Sequence, residues 1–380
     1  MQNRKNMWMR KKEKKIVLRL FVIMLLLFAI SGCNSTRTLT ESEQLADQKK
    51  NGSRNGKENV ITLTSEIVSL ADGLSAVKYE GDDGFQDFLE QGGASSDQEV
   101  MRYLTEQMLS SVPGLSFFGD IFGCSTLSVR SPEGEHLFGR NFDWNRCEAL
   151  VVQSVPEEGY ASLSTVNMDF IRVGVGMDLE QLPDRIKVMA ALYAPLDGMN
   201  EKGLCVSVNM IEDSDTIDQK TGKAGLTTTT AVRLLLKQAA DVDEALALLK
   251  QYDLHASMNM MIHFALSDTS GRSVAVEYVD DQMVVTDTPV VTNFYLAAGE
   301  KQGIGTEQSH TRYDMLMDVL KNNDTLSMDG VRDALDRVSK HNFGTPETTE
   351  WSIVYNQDSG EAAYYHREHY DTVYRFSVSR

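Results

Sequence analysis

Residues 123–144 read GCSTLSVRSPEGEHLFGRNFDW, and the organisation of the chain is worked out from this stretch. CSTLSVRS is a short β-type run, PEGE supplies a turn, and HLFGRNFDW returns as a second strand. In an antiparallel pair the beginning of the first strand lies beside the end of the second. The hairpin therefore carries Cys124 at its open end and brings Arg140 and Asp143 back toward it. A guanidinium beside a thiol favours the thiolate, and a carboxylate there can hold an ammonium or an α-amine. By composition alone, the same residues also describe a small buried thiol next to an ordinary Arg–Asp pair.

Downstream, β-rich runs are expected at 187–193, 203–210, 260–267, 272–279, 282–286, 351–355 and 361–366. Helical patterns are expected at 226–239, 241–251 and in the 310–339 region. Two groups of strands separated by helices predict sheets covered by helices. Upstream, residues 60–122 predict a mainly helical segment. VITLTSEIVSLADGLSAVKY places apolar residues near helical spacing, and SSDQEVMRYLTEQMLSSV opens with Ser/Asp before Val100, Tyr103, Leu104 and Met108. The apolar run LSFFGDIF leads into Gly123.

The whole chain has 380 residues, is 42% hydrophobic and 24% charged, and contains 7 Pro and 27 Gly, which excludes a wholly disordered or collagen-like protein. The net charge of −18 is uneven: the first 32 residues hold eight Lys/Arg against one Glu, a net +7, leaving −25 for the remainder. Such an acidic body repels phosphate backbones, so no nucleic-acid partner is expected. The basic stretch RKKEKK and Arg19 precede an apolar run from Leu20 to Ile30, too short for an ordinary spanning helix and suited to a secretory signal. The junction Ile30-Ser31-Gly32-Cys33 resembles the bacterial lipobox, which implies acylation of Cys33 and a leader of residues 1–32. Residues 33–59 are polar and without apolar period, a flexible tether.

Other candidates carry less. Gly174 and Gly176 make only G-x-G, without the third glycine of a dinucleotide site. His366 and His369, three apart on a strand, face opposite sides, so no metal site is expected. Cys147 and Cys205 are expected as buried thiols, with a disulfide left open outside the cytoplasm. His263 opens an apolar strand and reads as structural, and Asn200 as a turn residue.

Six segments, in order, carry a resemblance. G-C-S-T-L-S-V with F-G-R-N-F-D-W, D-G-M-N-E-K-G-L (197–204), V-N-M ending at Met210, H-F-A-L-S-D-T-S-G-R-S-V-A-V-E (263–277) with V-V-T-N, S-H-T-R-Y and T-E-W-S-I-V-Y (349–355) together resemble the choloylglycine hydrolase and penicillin V acylase family of N-terminal-nucleophile cysteine hydrolases. The likeness spans roughly 124–376. It implies an α+β fold, an αββα four-layer sandwich, preceded here by the helical prosegment of 60–123. It also implies that Cys124 is the nucleophile, that Arg140 favours its thiolate and that Asp143 orients its α-amine. Asn209 and Asn293 would donate to the oxyanion, and Arg312 would support the polar network. The interval to Asn209 is one residue shorter than in bile-salt hydrolases.

An N-terminal cysteine combines a nucleophile with a base on one residue, because a free α-amine has a pKa near ~7.7–8.0 and a thiol near ~8.5. No metal or organic cofactor is needed. Cys124 must then become a terminus, and 123 residues precede it. The layout resembles acid ceramidase and N-acylethanolamine acid amidase, which implies autocleavage between Gly123 and Cys124, with the prosegment retained on a 124–380 catalytic chain. The expected protein is a lipid-anchored, extracytoplasmic hydrolase of linear N-acyl amides, with N-acylethanolamine-like lipids favoured and conjugated bile salts and penicillin V open. An acyltransferase of the isopenicillin-N type and a non-catalytic ligand-binding lipoprotein are the rival expectations, and a homo-oligomer is left open.

Overall fold

In the computed structural model, which describes residues 57–108, 115–117, 123–173, 182–213 and 215–378, strand Gly123–Arg130 pairs antiparallel with His136–Trp144. Gly123 lies opposite Asp143, Cys124 opposite Phe142 and Thr126 opposite Arg140. The Ser131 hydroxyl closes the connecting turn by accepting the Glu133 and Glu135 N–H groups, each at 3.2 Å. Successive strand residues point to opposite faces. Cys124, Thr126, Arg140 and Phe142 therefore share one face, and Ser125, Leu127 and Asp143 the other.

This hairpin is the inner part of a seven-stranded sheet. Its order is Lys57–Val60, Thr372–Ser377, Glu361–His366, Thr348–Asn356, His136–Trp144, Gly123–Arg130 and Val290–Val291. A nine-stranded sheet runs Gln282–Asp287, Ser273–Val279, Ile262–Ser267, Cys205–Met210, Asp197–Asn200, Ser162–Asn167, Ala149–Pro156, Leu74–Gly81 and Val68–Ala71. The sheets face one another across the Cys124 side of the hairpin, where Trp351 of the seven-stranded sheet donates through Nε1 to Asp197 Oδ2 of the other at 3.0 Å. Their central strands are buried on both faces, so polar residues such as Arg140, Asp143, Ser207 and Asn209 are enclosed with the apolar ones.

Helices cover both outer faces. Thr228–Gln238 lies on the nine-stranded sheet, started by a capping box between Thr227 and Thr230, and Val242–Leu249 follows with Asp241 as its N-cap. Glu307–Asn322 and Met328–Arg337, capped by Thr306 and Ser327, lie on the seven-stranded sheet. Leu127, Leu137, Val331, Leu335 and Val354 form the second apolar core between that sheet and its helices. The expected α+β four-layer order is the one observed.

Two expectations are corrected. The segment upstream of Gly123 is not mainly helical. Lys57–Val60 runs parallel to Thr372–Ser377, and Val68–Ala71 and Leu74–Gly81 form a hairpin whose second strand runs parallel to Ala149–Pro156. The overlooked signal was Asp72-Gly73, a two-residue turn between apolar runs. Gly73 has φ 77°, and a Cβ there would strike the Arg367 guanidinium. Among the described residues of this segment, helix is confined to Phe85–Glu90, Asp97–Tyr103 and a π-helical turn, Leu104–Met108. The run at 187–193 is not a strand either, because helix Asp184–Leu192 occupies it after Pro183. A continuous buried apolar run has no period that separates the two states. The lipobox, most of the tether, the 118–122 part of LSFFGDIF and the Gly174/Gly176 pair lie outside the described residues.

Candidate active site

The period of two along His136–Trp144 sends the arginine and the aspartate to opposite sides of the Cys124 backbone. Arg140 points between the sheets. Its Nη2 is 3.4 Å from Cys124 Sγ, and its Nη1 donates to Val208 O at 2.9 Å and to Ser207 Oγ. Its Nε is paired with Asp197 Oδ2 at 2.8 Å, both side chains fully buried. Asp197 opens the central motif and also accepts Trp351 Nε1 at 3.0 Å and the Tyr355 hydroxyl at 3.1 Å. The sequence assigns it no role, and its signal is a lone carboxylate at the start of a fully buried strand. A guanidinium held at Nε by a carboxylate presents its remaining edge in one direction. Here that direction is the thiol.

Asp143 points to the helical side. Its Oδ1 accepts the Thr349 hydroxyl at 2.7 Å, and its Oδ2 is 3.3 Å from Arg312 Nη1. Arg312 is buried on helix Glu307–Asn322 and gathers the site: Nη1 donates to Cys124 O and to Ser125 Oγ, each at 2.6 Å, and Nη2 to Asn293 Oδ1 at 2.8 Å. The same Asn293 oxygen accepts the Cys124 backbone N–H at 2.8 Å, while Asn293 Nδ2 donates to Met210 O at 2.6 Å. The fold thus brings Cys124, Arg140, Asp143, Asn293 and Arg312 together from two strands, one loop and one helix. Asn209 stands further back. Its Nδ2 donates to Val291 O and Thr292 O at 3.3 Å each, and its Oδ1 accepts the Ser207 hydroxyl at 2.8 Å.

Electrostatics in the uncleaved chain differ from the simple expectation for Arg140. Burial pushes the Cys124 thiol up to about 11; Arg140 and Arg312 pull it down, Asp143 and Asp197 push it up, and burial prevails. Burial likewise raises Asp143, against Arg312 and Lys340, and raises Asp197, against Arg140. Cys147 and Cys205 are free, buried thiols raised further still by burial. Asn200 donates to Leu236 O and Ala239 O and accepts the Lys202 and Leu204 N–H groups, so it ties its turn to a helix end. His366 ends its strand with Nε2 2.9 Å from Asp72 O, and His369 lies beyond the strand.

A cleft of about 300 Å³ opens over the Gly123–Cys124 bond, bounded by Gly123, Met210, Asn293, Gln308, Arg312 and Lys340. Lys340 is buried and donates to Gln308 Oε1 at 2.7 Å. A Cβ at Gly123 would lie 2.9 Å from Asp143 Oδ2 and 3.2 Å from Lys340 Cε. The close approach favours glycine, since a Cβ would have to push the Asp143 or Lys340 side chain aside; its φ is not in the left-handed region.

Residues 124–294 match the model of the linear amide C-N hydrolases, choloylglycine hydrolase family. The chain is 25% identical over 179 residues to a bile salt hydrolase/transferase of Clostridium perfringens, covering 44% of this chain and 51% of that protein. It is 32% identical over 99 residues to a penicillin V acylase of Pectobacterium atrosepticum, covering 23% and 26%. The chain thus spans about half the length of the first relative and about a quarter of the second. A crystal structure of a mutant conjugated bile acid hydrolase from Clostridium perfringens aligns with a TM-score of 0.50 at 18% identity, over 67% of this chain and 92% of that one, and shares its fold. The chain shares that fold, and its stretch from Cys124 to residue 294 is similar to the choloylglycine hydrolase family of linear amide C-N hydrolases.

Proposed function

We propose that this protein hydrolyses linear N-acyl amides through a thioester on Cys124, after the Gly123–Cys124 bond has been broken. The observation that carries the reading is the bracketing of one residue. Cys124 has a guanidinium on its sulfur, an asparagine oxygen on its nitrogen and a second guanidinium on its carbonyl oxygen. A residue kept only for packing has no use for three charged or polar partners at its three reactive positions.

Once Cys124 is a terminus, its amine lies between Asn293 Oδ1 and the Asp143 side of the strand and can take the thiol proton. The thiolate then adds to the amide carbonyl carbon, and the oxyanion takes donors from the asparagine layer; one such donor is worth ~10²–10³ in rate. Collapse breaks the C–N bond, and the ammonium returns the proton to the leaving nitrogen. Water, deprotonated by the same amine, adds to the thioester carbonyl, and the acid leaves as the thiol reforms. Arg140 offsets the burial that holds the thiol neutral, while Asp143 and Arg312 orient the terminus. Asn209 acts through Thr292 and Ser207.

The acyl group would enter where Gly123 now lies. The described part of the prosegment is mixed strand and helix and singles out no acyl class, so N-acylethanolamines, conjugated bile salts and penicillin V stand as equal arms of a substrate panel. Released amine, read by mass spectrometry, tests the reading, and appearance of a new N-acyl product with an added amine would favour acyl transfer. Cys124→Ala and Cys124→Ser should lose about 10³-fold or more in turnover with the fold retained, as expected for loss of a nucleophile. A Cys124→Ala protein with wild-type turnover overturns the proposal, whereas Cys147→Ala and Cys205→Ala should leave the chemistry intact.

A further inference from the structure

His263 and Glu277 are fully buried, and the mechanism above does not use them. They face each other across the hairpin of Ile262–Ser267 and Ser273–Val279, in the register that pairs Phe264 with Val276. His263 Nδ1 is 3.0 Å from Glu277 Oε1, and Nε2 is 2.9 Å from Thr292 O. A carbonyl oxygen can only accept, so Nε2 carries a proton. Glu277 spends its remaining capacity downstream: Oε1 accepts the Leu296 N–H at 2.8 Å and Oε2 the Ala297 N–H at 2.5 Å.

One pair thus grips the chain on both sides of Asn293, at the carbonyl just before it and at the amides three and four residues after it. Ser309 Oγ holds the Asn293 N–H at 2.7 Å, and Asn209 Nδ2 adds a second donor to Thr292 O. Burial makes the grip stiff, because neither partner can be replaced by water and a buried polar group left unpaired is costly. The strand Val290–Val291 that feeds this segment belongs to the seven-stranded sheet, whereas His263 and Glu277 belong to the nine-stranded one. The pair therefore sets the position of Asn293 relative to Cys124 from across the sandwich.

We propose that His263 and Glu277 are positioning residues that clamp the 292–297 segment so that Asn293 meets the Cys124 nitrogen, and that they control turnover without touching substrate. The proposal rests on the reading of Cys124 and Asn293 given above. A displacement of Asn293 by about an ångström is the kind of error that costs about 10²-fold in rate.

Full-length wild-type, His263→Gln, His263→Leu and Glu277→Gln proteins test it. Steady-state release of amine is measured on the N-acyl amide the wild type cleaves best, below the thermal midpoint of every variant that folds. The clamp requires kcat to fall about 10- to 100-fold in both Gln variants with KM within about twofold. His263→Gln keeps an N–H for Thr292 O and should exceed His263→Leu, an ordering that loss of stability alone does not produce where all proteins are folded. Hydrogen exchange of the peptide covering 290–298 is the readout independent of turnover, and Glu277→Gln should lose protection at Leu296 and Ala297. Wild-type kcat in the folded Gln variants, or unchanged protection in Glu277→Gln, overturns the clamp. If the wild type cleaves no N-acyl amide, the functional reading fails by itself and the exchange result still decides whether the pair holds the segment.

Discussion

At the scale of single residues, the site is defined by what each side of one peptide bond touches. Gly123 has no room for a Cβ between Asp143 Oδ2 and Lys340 Cε, and the thiol beside it is held neutral by burial. Gly123→Ala should therefore displace Asp143 or Lys340 and slow the breaking of the 123–124 bond, read as a larger fraction of uncleaved chain on a denaturing gel. A variant cleaved at the wild-type rate would contradict the crowding argument. In the uncleaved chain the pKa of Cys124 is raised from 9.0 to about 11. Its thiolate absorbance, taken as the difference from Cys124→Ala, should rise near pH 11 and not near 9. Because the folded value is the higher one, the neutral thiol supports the fold below pH 9, and that support is lost as pH rises through 11.

At the scale of elements, the segment before Gly123 is built into both sheets. It supplies one edge strand of the seven-stranded sheet and two strands at an edge of the other. Beyond the ladders, Asp83 is fully buried between Arg233 and Lys237 of helix Thr228–Gln238, with Lys237 Nζ at 2.6 Å. Phe85, Phe88, Tyr103 and Tyr193 pack around it with centroids 5.2–6.2 Å apart. Removing the carboxylate would strand two buried cations, a loss of about 3–5 kcal/mol. Asp83→Ala should show it as a lower urea midpoint at pH 7. The two cations hold the Asp83 carboxyl below its usual 3.8. The wild type's advantage should thus be present above about that pH and vanish as pH falls through the lower folded value, and a pH-independent difference would rule this origin out.

At the scale of the molecule, self-cleavage would separate the lipid from the catalytic chain in covalent terms while leaving the sheets intact. The expected products are a chain from Cys124, 257 of 380 residues and so about 29 of 42.4 kDa, and a prosegment that co-purifies with it until denaturant is added. N-terminal sequencing checks this: an active enzyme with no chain beginning at Cys124 would sink the maturation scheme. Anchorage is a separate expectation. Cells fed a fatty-acid analogue should label the wild type and not Cys33→Ala; equal label on both would mean that the Ile30–Cys33 junction was misread.

The Cys124 hairpin with its Arg140 and Asp143 was legible in the sequence because strand alternation and short turns act within a few residues of one another, whereas Asn293 and Arg312 came only from the resemblance of the ordered segments. The helical patterns at 226–239 and 241–251 were legible too, and the structure places these helices at 228–238 and 242–249. The tertiary structure alone settles that Lys57–Val60 is strand and that Leu74–Gly81 joins Ala149–Pro156, because those ladder partners lie more than 300 and some 75 residues away, and the local Asp72-Gly73 turn records only the pairing with Val68–Ala71. Likewise, only burial made the Cys124 thiol neutral, and only the meeting of two sheets turned His263 and Glu277 from strand residues into the grip on Asn293. Local chemistry selects the groups; distance in the chain hides which of them will meet, since pairing across the sandwich depends on desolvation and register set by the whole fold.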